Sequence, residues 1–100
     1  MSDGEETVQR EVRLSIIIPC YNAAATLGEQ LTALANQTWE RSWEVIVADN
    51  GSRDDSRRVA ANFLARMPNL RLVDAGARRG SAFARNEGSR QARGTALAFV

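Results

Sequence analysis

The stretch Leu14-Ser-Ile-Ile-Ile-Pro-Cys-Tyr-Asn22 constrains this 100-residue chain more than any other. It is an apolar run, interrupted only by Ser15, that reaches a proline and then turns polar. A strand with one wet face alternates polar and apolar residues. A near-continuous run reads instead as a strand buried on both faces, as in a parallel sheet covered by helices. Pro19 has no amide donor and suits a strand end. Cys20 to Ala25 then begins a loop at the carboxyl end of the strand, the edge where open α/β sheets bind ligands.

The remaining segments fall into alternation around that strand. From Ala23 to Gln37, the residues Leu27, Leu31 and Leu34 form a helical stripe. Thr26-Leu-Gly-Glu29 has the form of a capping box, so the helix is expected to start there or up to three residues earlier. Trp43 to Ala48 is a second buried strand, rich in β-branched residues. Asn50-Gly51 marks a turn, and Ser52 or Asp54 can cap a helix over roughly Asp55 to Met67, with Val59, Ala60, Phe63, Leu64 and Met67 on its inner side. Pro68 stops it. Leu70 to Val73 is a third strand, Ser81 to Arg93 an alanine-rich helix closed by Gly94, and Thr95 to Val100 a fourth, buried strand. The order βαβαβαβ, with crossovers long enough for helices, predicts a three-layer Rossmann-like α/β fold with a parallel sheet. Residues 1–12 read as a disordered polar lead. Residues 13–100 read as the N-terminal part of a larger domain, since the chain stops inside a strand.

Composition removes several chemistries. The formal net charge is +1, which predicts no nucleic-acid partner. There is no lysine and no histidine, so this stretch offers no Schiff-base amine, histidine base or histidine metal ligand. Cys20 is the single cysteine, which fits a reducing compartment. With no histidine to activate it, it reads as buried filler. No apolar run approaches the ~20 residues of a membrane span.

The first turn, Cys-Tyr-Asn-Ala-Ala-Ala, has no glycine, so the dinucleotide-binding fingerprint is missing, and without lysine there is no Walker loop. A nucleotide held here would be gripped by base and sugar. Tyr21 offers a ring for stacking, and Asn22 a donor and an acceptor unless it caps the helix. Asp49 and Asn50 end the second strand, where an acceptor oxygen can take the N3–H of uracil. The plainer reading of Asp49 is a turn residue bonded to its own loop amides. Arg78 and Arg79 lie on the ligand-side loop, facing phosphate, an anionic acceptor or water. Arg57 and Arg58 read as a solvated helix face. Asp54 and Asp55 favour a helix N-terminus, and Trp39 and Trp43 read as packing.

These blocks together resemble family 2 inverting glycosyltransferases of the GT-A fold. The resemblance runs through Ser15-Ile-Ile-Ile-Pro-Cys-Tyr-Asn22, Trp43-Glu-Val-Ile-Val-Ala-Asp49-Asn-Gly-Ser52-x-Asp54 and Gly80-x-x-x-x-Arg85-Asn86-x-Gly88. It implies a nucleotide-diphosphosugar donor, most often UDP-linked, whose sugar passes to an acceptor hydroxyl with inversion. It assigns the nucleoside pocket to Pro19, Tyr21 and Asn22. Asp49 and Asn50 contact the base or brace that contact, and Gly80 and Arg85 lie beside the nucleotide. Two positions depart from the pattern: Asn50 stands for an acid, and Arg78 for an asparagine. The resemblance also implies a divalent cation, Mg or Mn, held by an Asp-x-Asp motif expected after Val100, and a later carboxylate base. The 100 residues alone are therefore expected to be inactive in transfer. Relatives of this kind use carbohydrate or lipid-linked acceptors in cell-envelope polysaccharide synthesis, which implies a cytoplasmic protein at the inner membrane face. An uncovered sheet would also favour self-association. Two rival readings are a binding module without catalysis and a phosphoacceptor receiver domain. The receiver lacks its first-loop acids and its lysine here.

Overall fold

A computed structural model describes residues 12–38 and 42–100. The lead expected over residues 1–12 lies outside the described residues except for Val12, and Trp39 lies outside them too. The elements are β1 (Leu14–Cys20), α1 (Ala24–Ala35), β2 (Trp43–Asp49), α2 (Ser56–Asn62), β3 (Leu70–Asp74), α3 (Ser81–Gln91) and β4 (Ala96–Phe99). All pairings are parallel, in the order β3-β2-β1-β4. The chain builds outward from β1 to β3 and then returns to the far side of β1, so the strand order reverses beside β1. A receiver domain places its first strand between the second and third. The observed order excludes that reading.

Strand alternation sorts the core into two layers. Ile18, Cys20, Val45 and Val47 meet Leu27 and Leu31 of α1 and Ala60 of α2 on one face. Ile17 and Ile46 face the opposite way, toward α3, and Ala48 packs with Ala75 and Ala84. Burying side chains such as Leu27, Leu31, Ile17 and Ile46 contributes roughly 1.5–3 kcal/mol each. α3 comes close to the sheet because Gly88 has no side chain. A Cβ there would sit 2.7 Å from Ile17 Cγ2.

Four expectations need correction. The α1 capping box does not form: the helix begins at Ala24, within the expected range, and Thr26 lies in its first turn with its hydroxyl bonded to the Ala23 carbonyl. α2 ends at Asn62 rather than Met67, because the chain tightens into i→i−3 bonds from Phe63 to Ala60 and Leu64 to Ala61. Phe63 and Met67 still reach the core, while Leu64 is exposed. α3 stops at Gln91, and Ala92 is already extended. β4 is an edge strand with Leu97 and Phe99 exposed, because only β1 pairs with it among the described residues. Trp43 is half-buried and packs against the α1-side core, as the sequence suggests.

Candidate functional site

Three loops meet at the carboxyl edge of β1, β2 and β3. The parallel register pairs Cys20 with Asp49, and Asp49 in turn with Asp74. Tyr21 and Asn50, the next residues of the first two strands, therefore leave the sheet side by side. The Asn50 amide donates to the Cys20 carbonyl at 2.7 Å and closes that corner.

The first two loops are tied by side chains bonded to each other's backbone. The amides of Asn22, Ala23 and Ala24 donate to Ser52 Oγ (2.9 Å), Ser56 Oγ (2.8 Å) and Asp54 Oδ2 (3.1 Å). In return, Asn22 Oδ1 accepts from the amides of Arg53 (2.7 Å) and Asp54 (3.2 Å). Asn22 sits at φ 49°, a left-handed conformation that asparagine tolerates better than most residues. α1 is thus capped from the neighbouring loop. The amides at its start, which in a dinucleotide-binding turn would cradle phosphate, are already occupied by protein oxygens.

Asp49 is 2% exposed, and its two oxygens differ. Oδ2 accepts from the Ser52 amide at 3.2 Å and lies 3.6 Å from Arg57 Nε. Oδ1 is buried with no hydrogen-bond partner, the sole such side-chain atom among the described residues. The turn reading of Asp49 holds for Oδ2, which takes the amide of its own loop. A buried acceptor left unsatisfied costs about 1–3 kcal/mol, which a ligand N–H would recover. Arg57 is exposed, as the sequence suggests, and from that helix face it also reaches toward Asp49 and the Ser52 carbonyl.

Asn50 holds the third loop. Its Nδ2 donates to the carbonyls of Ala75 and Arg78, each at 2.7 Å, and its Oδ1 accepts from the Gly80 amide at 2.7 Å. Gly80 has φ 127°, which a side chain would strain. Arg79 places its guanidinium 4.2 Å from the Tyr21 ring centroid. Arg78 is exposed on the same loop. Arg85 is half-buried on α3, and Pro19 is half-buried next to the end of β1. Cys20 lies beneath the site, and burial pushes its thiol pKa up, against the opposing influence of the Ser56 and Ser52 side chains. It is a packed, unreactive thiol.

Among the described residues no three His, Cys, Asp or Glu side chains gather where they could hold a metal ion. Hard cations take about six oxygens, and Asp49 Oδ1 alone is no such cradle. The described residues do not fit a divalent cation.

A parallel sheet in this order is the doubly wound α/β architecture, whose ligand crevice lies at the carboxyl edge where the strand order reverses. Residues 15–100 match the family model described as glycosyl transferase family 2, and the chain belongs to that family. It is 40% identical over 88 residues to the glycosyltransferase AglE of Haloferax volcanii, covering 87% of this chain and 29% of that protein. The fold superposes on S. aureus TarS 1–349 in complex with UDP-GlcNAc with a TM-score of 0.74 and 28% identity, over 89% of this chain and 26% of that one. It also superposes on the mannosyltransferase PcManGT from Pyrobaculum calidifontis, in complex with GDP-Man and Mn2+. There the TM-score is 0.72 and the identity 34%, over 80% of this chain and 24% of that one. The chain therefore spans under a third of the length of these relatives, and its Rossmann-like sheet is the one found in these GT-A transferases.

Proposed function

We propose that these 100 residues bind a nucleoside-diphosphate sugar, by preference a UDP-sugar, as the donor-binding part of a transferase that passes the sugar to an acceptor hydroxyl. The observation that carries this reading is the partnerless, buried Asp49 Oδ1 beside Tyr21. A uracil stacked near Tyr21 presents its N3–H to such an acceptor. Cytosine has no N–H at that position. Pro19 and Asn22 shape the wall of the nucleoside pocket, Asn50 and Gly80 set its third loop, and Arg78 and Arg85 supply positive charge toward the diphosphate. Support comes from TarS in complex with UDP-GlcNAc and PcManGT in complex with GDP-Man.

In the transfer, the acceptor oxygen attacks the anomeric carbon from the face opposite the diphosphate. The bond from that carbon to phosphate oxygen breaks, and the configuration inverts. The acceptor proton goes to a base, and the diphosphate leaves with the bonding pair. A divalent cation would supply charge neutralisation at the diphosphate, with ligands from outside the described residues. On this reading the 100 residues bind the donor without transferring its sugar. The acceptor is a carbohydrate or lipid-linked hydroxyl of envelope polysaccharide synthesis, met at the cytoplasmic face of a membrane. The exposed apolar residues of β4 favour self-association of the chain. No helix among the described residues is long and apolar enough to cross a membrane.

Calorimetric titration with UDP, with and without Mn2+, tests the reading. Binding that changes little with the metal is expected. No UDP uptake under either condition contradicts it.

A further inference from the structure

The Asn50 amide brackets a single residue. It takes the carbonyl of Arg78 on one side and the amide of Gly80 on the other, each at 2.7 Å, and so fixes the backbone of Arg79 between them. Asn50 is 4% exposed. Its amide can face only one way, because the two carbonyls of Ala75 and Arg78 require the nitrogen. An aspartate here would keep the acceptor for Gly80 but turn an oxygen toward two carbonyls. From this fixed point the Arg79 side chain reaches over the open loop to the exposed face of Tyr21, with its guanidinium carbon 4.2 Å from the ring centroid.

We propose that Arg79 is a base-clamping residue and that Asn50 is the positioning residue that holds it in place. The proposal rests on the nucleotide reading above. A planar base enters between the Tyr21 ring and the Arg79 guanidinium, with its N–H edge on Asp49 Oδ1. Stacking needs roughly 3.5 Å on each side of the base, so the guanidinium must rise by about 3 Å. The long arginine side chain can do this by changing rotamers while the bracketed backbone stays still. The exchange favours the ligand, because an exposed cation–π contact is weaker than a base–aromatic stack and the guanidinium regains a planar partner on the base. A lysine would keep the charge but not the plane.

The test is calorimetric titration of the protein with UDP and with uridine, which has the base but no phosphate. The variants are Arg79→Ala, Arg79→Lys, Asn50→Asp and the double variant Arg79→Ala/Asn50→Asp. Arg79→Ala is expected to weaken both ligands by a similar factor of about three to ten, and Arg79→Lys to restore neither. Asn50→Asp is expected to weaken both, and the double variant to be no worse than Arg79→Ala alone. Loss of UDP affinity with unchanged uridine affinity would make Arg79 a phosphate contact. Unchanged or tighter binding of both would make it a mere occupant of the ring. Either result overturns the clamp, and additive losses in the double variant overturn the positioning role of Asn50. Should Asn50→Asp fail to fold, the exposed Arg79 substitutions decide the clamp alone. If the unaltered protein takes up neither UDP nor uridine, the nucleotide reading itself falls, and the clamp with it.

Discussion

Glu44 and Asp49 sit five residues apart on the same strand, both almost wholly buried, and have opposite hydrogen-bonding states. Glu44 lies near the amino edge of the sheet and is saturated. Its Oε2 accepts from Ser15 Oγ and the Arg93 amide, each at 2.7 Å, and its Oε1 accepts from Arg71 Nε at 3.1 Å. Ser15 Oγ in turn accepts from the Gly94 amide at 2.8 Å, and Arg71 reaches the Gln91 carbonyl. The network fastens the end of α3 to β1, β2 and β3. Burial alone would raise the Glu44 carboxyl pKa, but the Arg93 amide, Ser15 hydroxyl and Arg71 guanidinium together hold it below its ordinary value. Asp49, at the carboxyl edge, keeps one oxygen without a partner. A buried carboxylate with both oxygens engaged holds its neighbours to the fold. One left half-engaged carries the cost of an unpartnered acceptor.

The largest expected effect strikes the saturated end. Glu44→Ala strands the Arg93 amide and Ser15, and should cost about 2–4 kcal/mol in urea denaturation. The nucleotide affinity of the folded fraction should be unchanged. Gly94→Ala attacks the same corner by sterics. Its Cβ would lie 2.7 Å from both the backbone nitrogen and the hydroxyl of Ser15, so a loss of about 2–3 kcal/mol is expected in the same assay. If either change weakened UDP binding as much as it weakened folding, the division between the two ends would be broken.

The opposite pattern is expected at the other end. Asp49→Asn should lower UDP affinity about tenfold or more, the loss of a charge-assisted acceptor. It should shift stability by less than about 1 kcal/mol, since asparagine keeps an acceptor for the Ser52 amide and the other oxygen has no partner to lose. Thermal denaturation beside calorimetry separates the two readouts. The smallest effect is in the pH profile. Because the folded pKa of Glu44 is depressed below 4.5, its contribution is fully present above pH 4.5 and is lost as pH falls through the folded value. Glu44→Gln should therefore flatten the acid limb of the stability curve below about pH 4.5. An acid limb identical to that of the unaltered protein would show that Glu44 does not control it.

The contrast also shows what a one-dimensional reading can and cannot see. The first three strands and the alternation of elements were legible, because unbroken apolar runs, helical stripes and turn residues are local signals. The placing of Tyr21 and Asp49 at the same edge of the sheet followed once the strands were taken as parallel neighbours. The strand order was not legible, since nothing local says on which side of β1 the last strand docks. Nor were the caps of α1: the serines and the aspartate that satisfy it lie about thirty residues downstream, and the nearby Thr26 to Glu29 pattern is the false signal. The Glu44 network did leave a trace. Ser15 and Glu44 are the polar interruptions of two otherwise apolar strands, and they are direct partners in the β1–β2 register. Matched interruptions in neighbouring buried strands point to a pair. The shortness of α2 had no such trace, because Phe63 and Met67 serve the core equally well from tight turns.

A side-by-side titration of the protein with UDP and CDP tests whether Asp49 Oδ1 accepts a base N–H. The diphosphate, ribose and ring size are shared, but uracil carries a hydrogen at N3 and cytosine a lone pair. UDP is expected to bind at least about tenfold more tightly than CDP, and Asp49→Asn should erase most of that preference. Equal affinity for UDP and CDP in the unaltered protein would contradict the account.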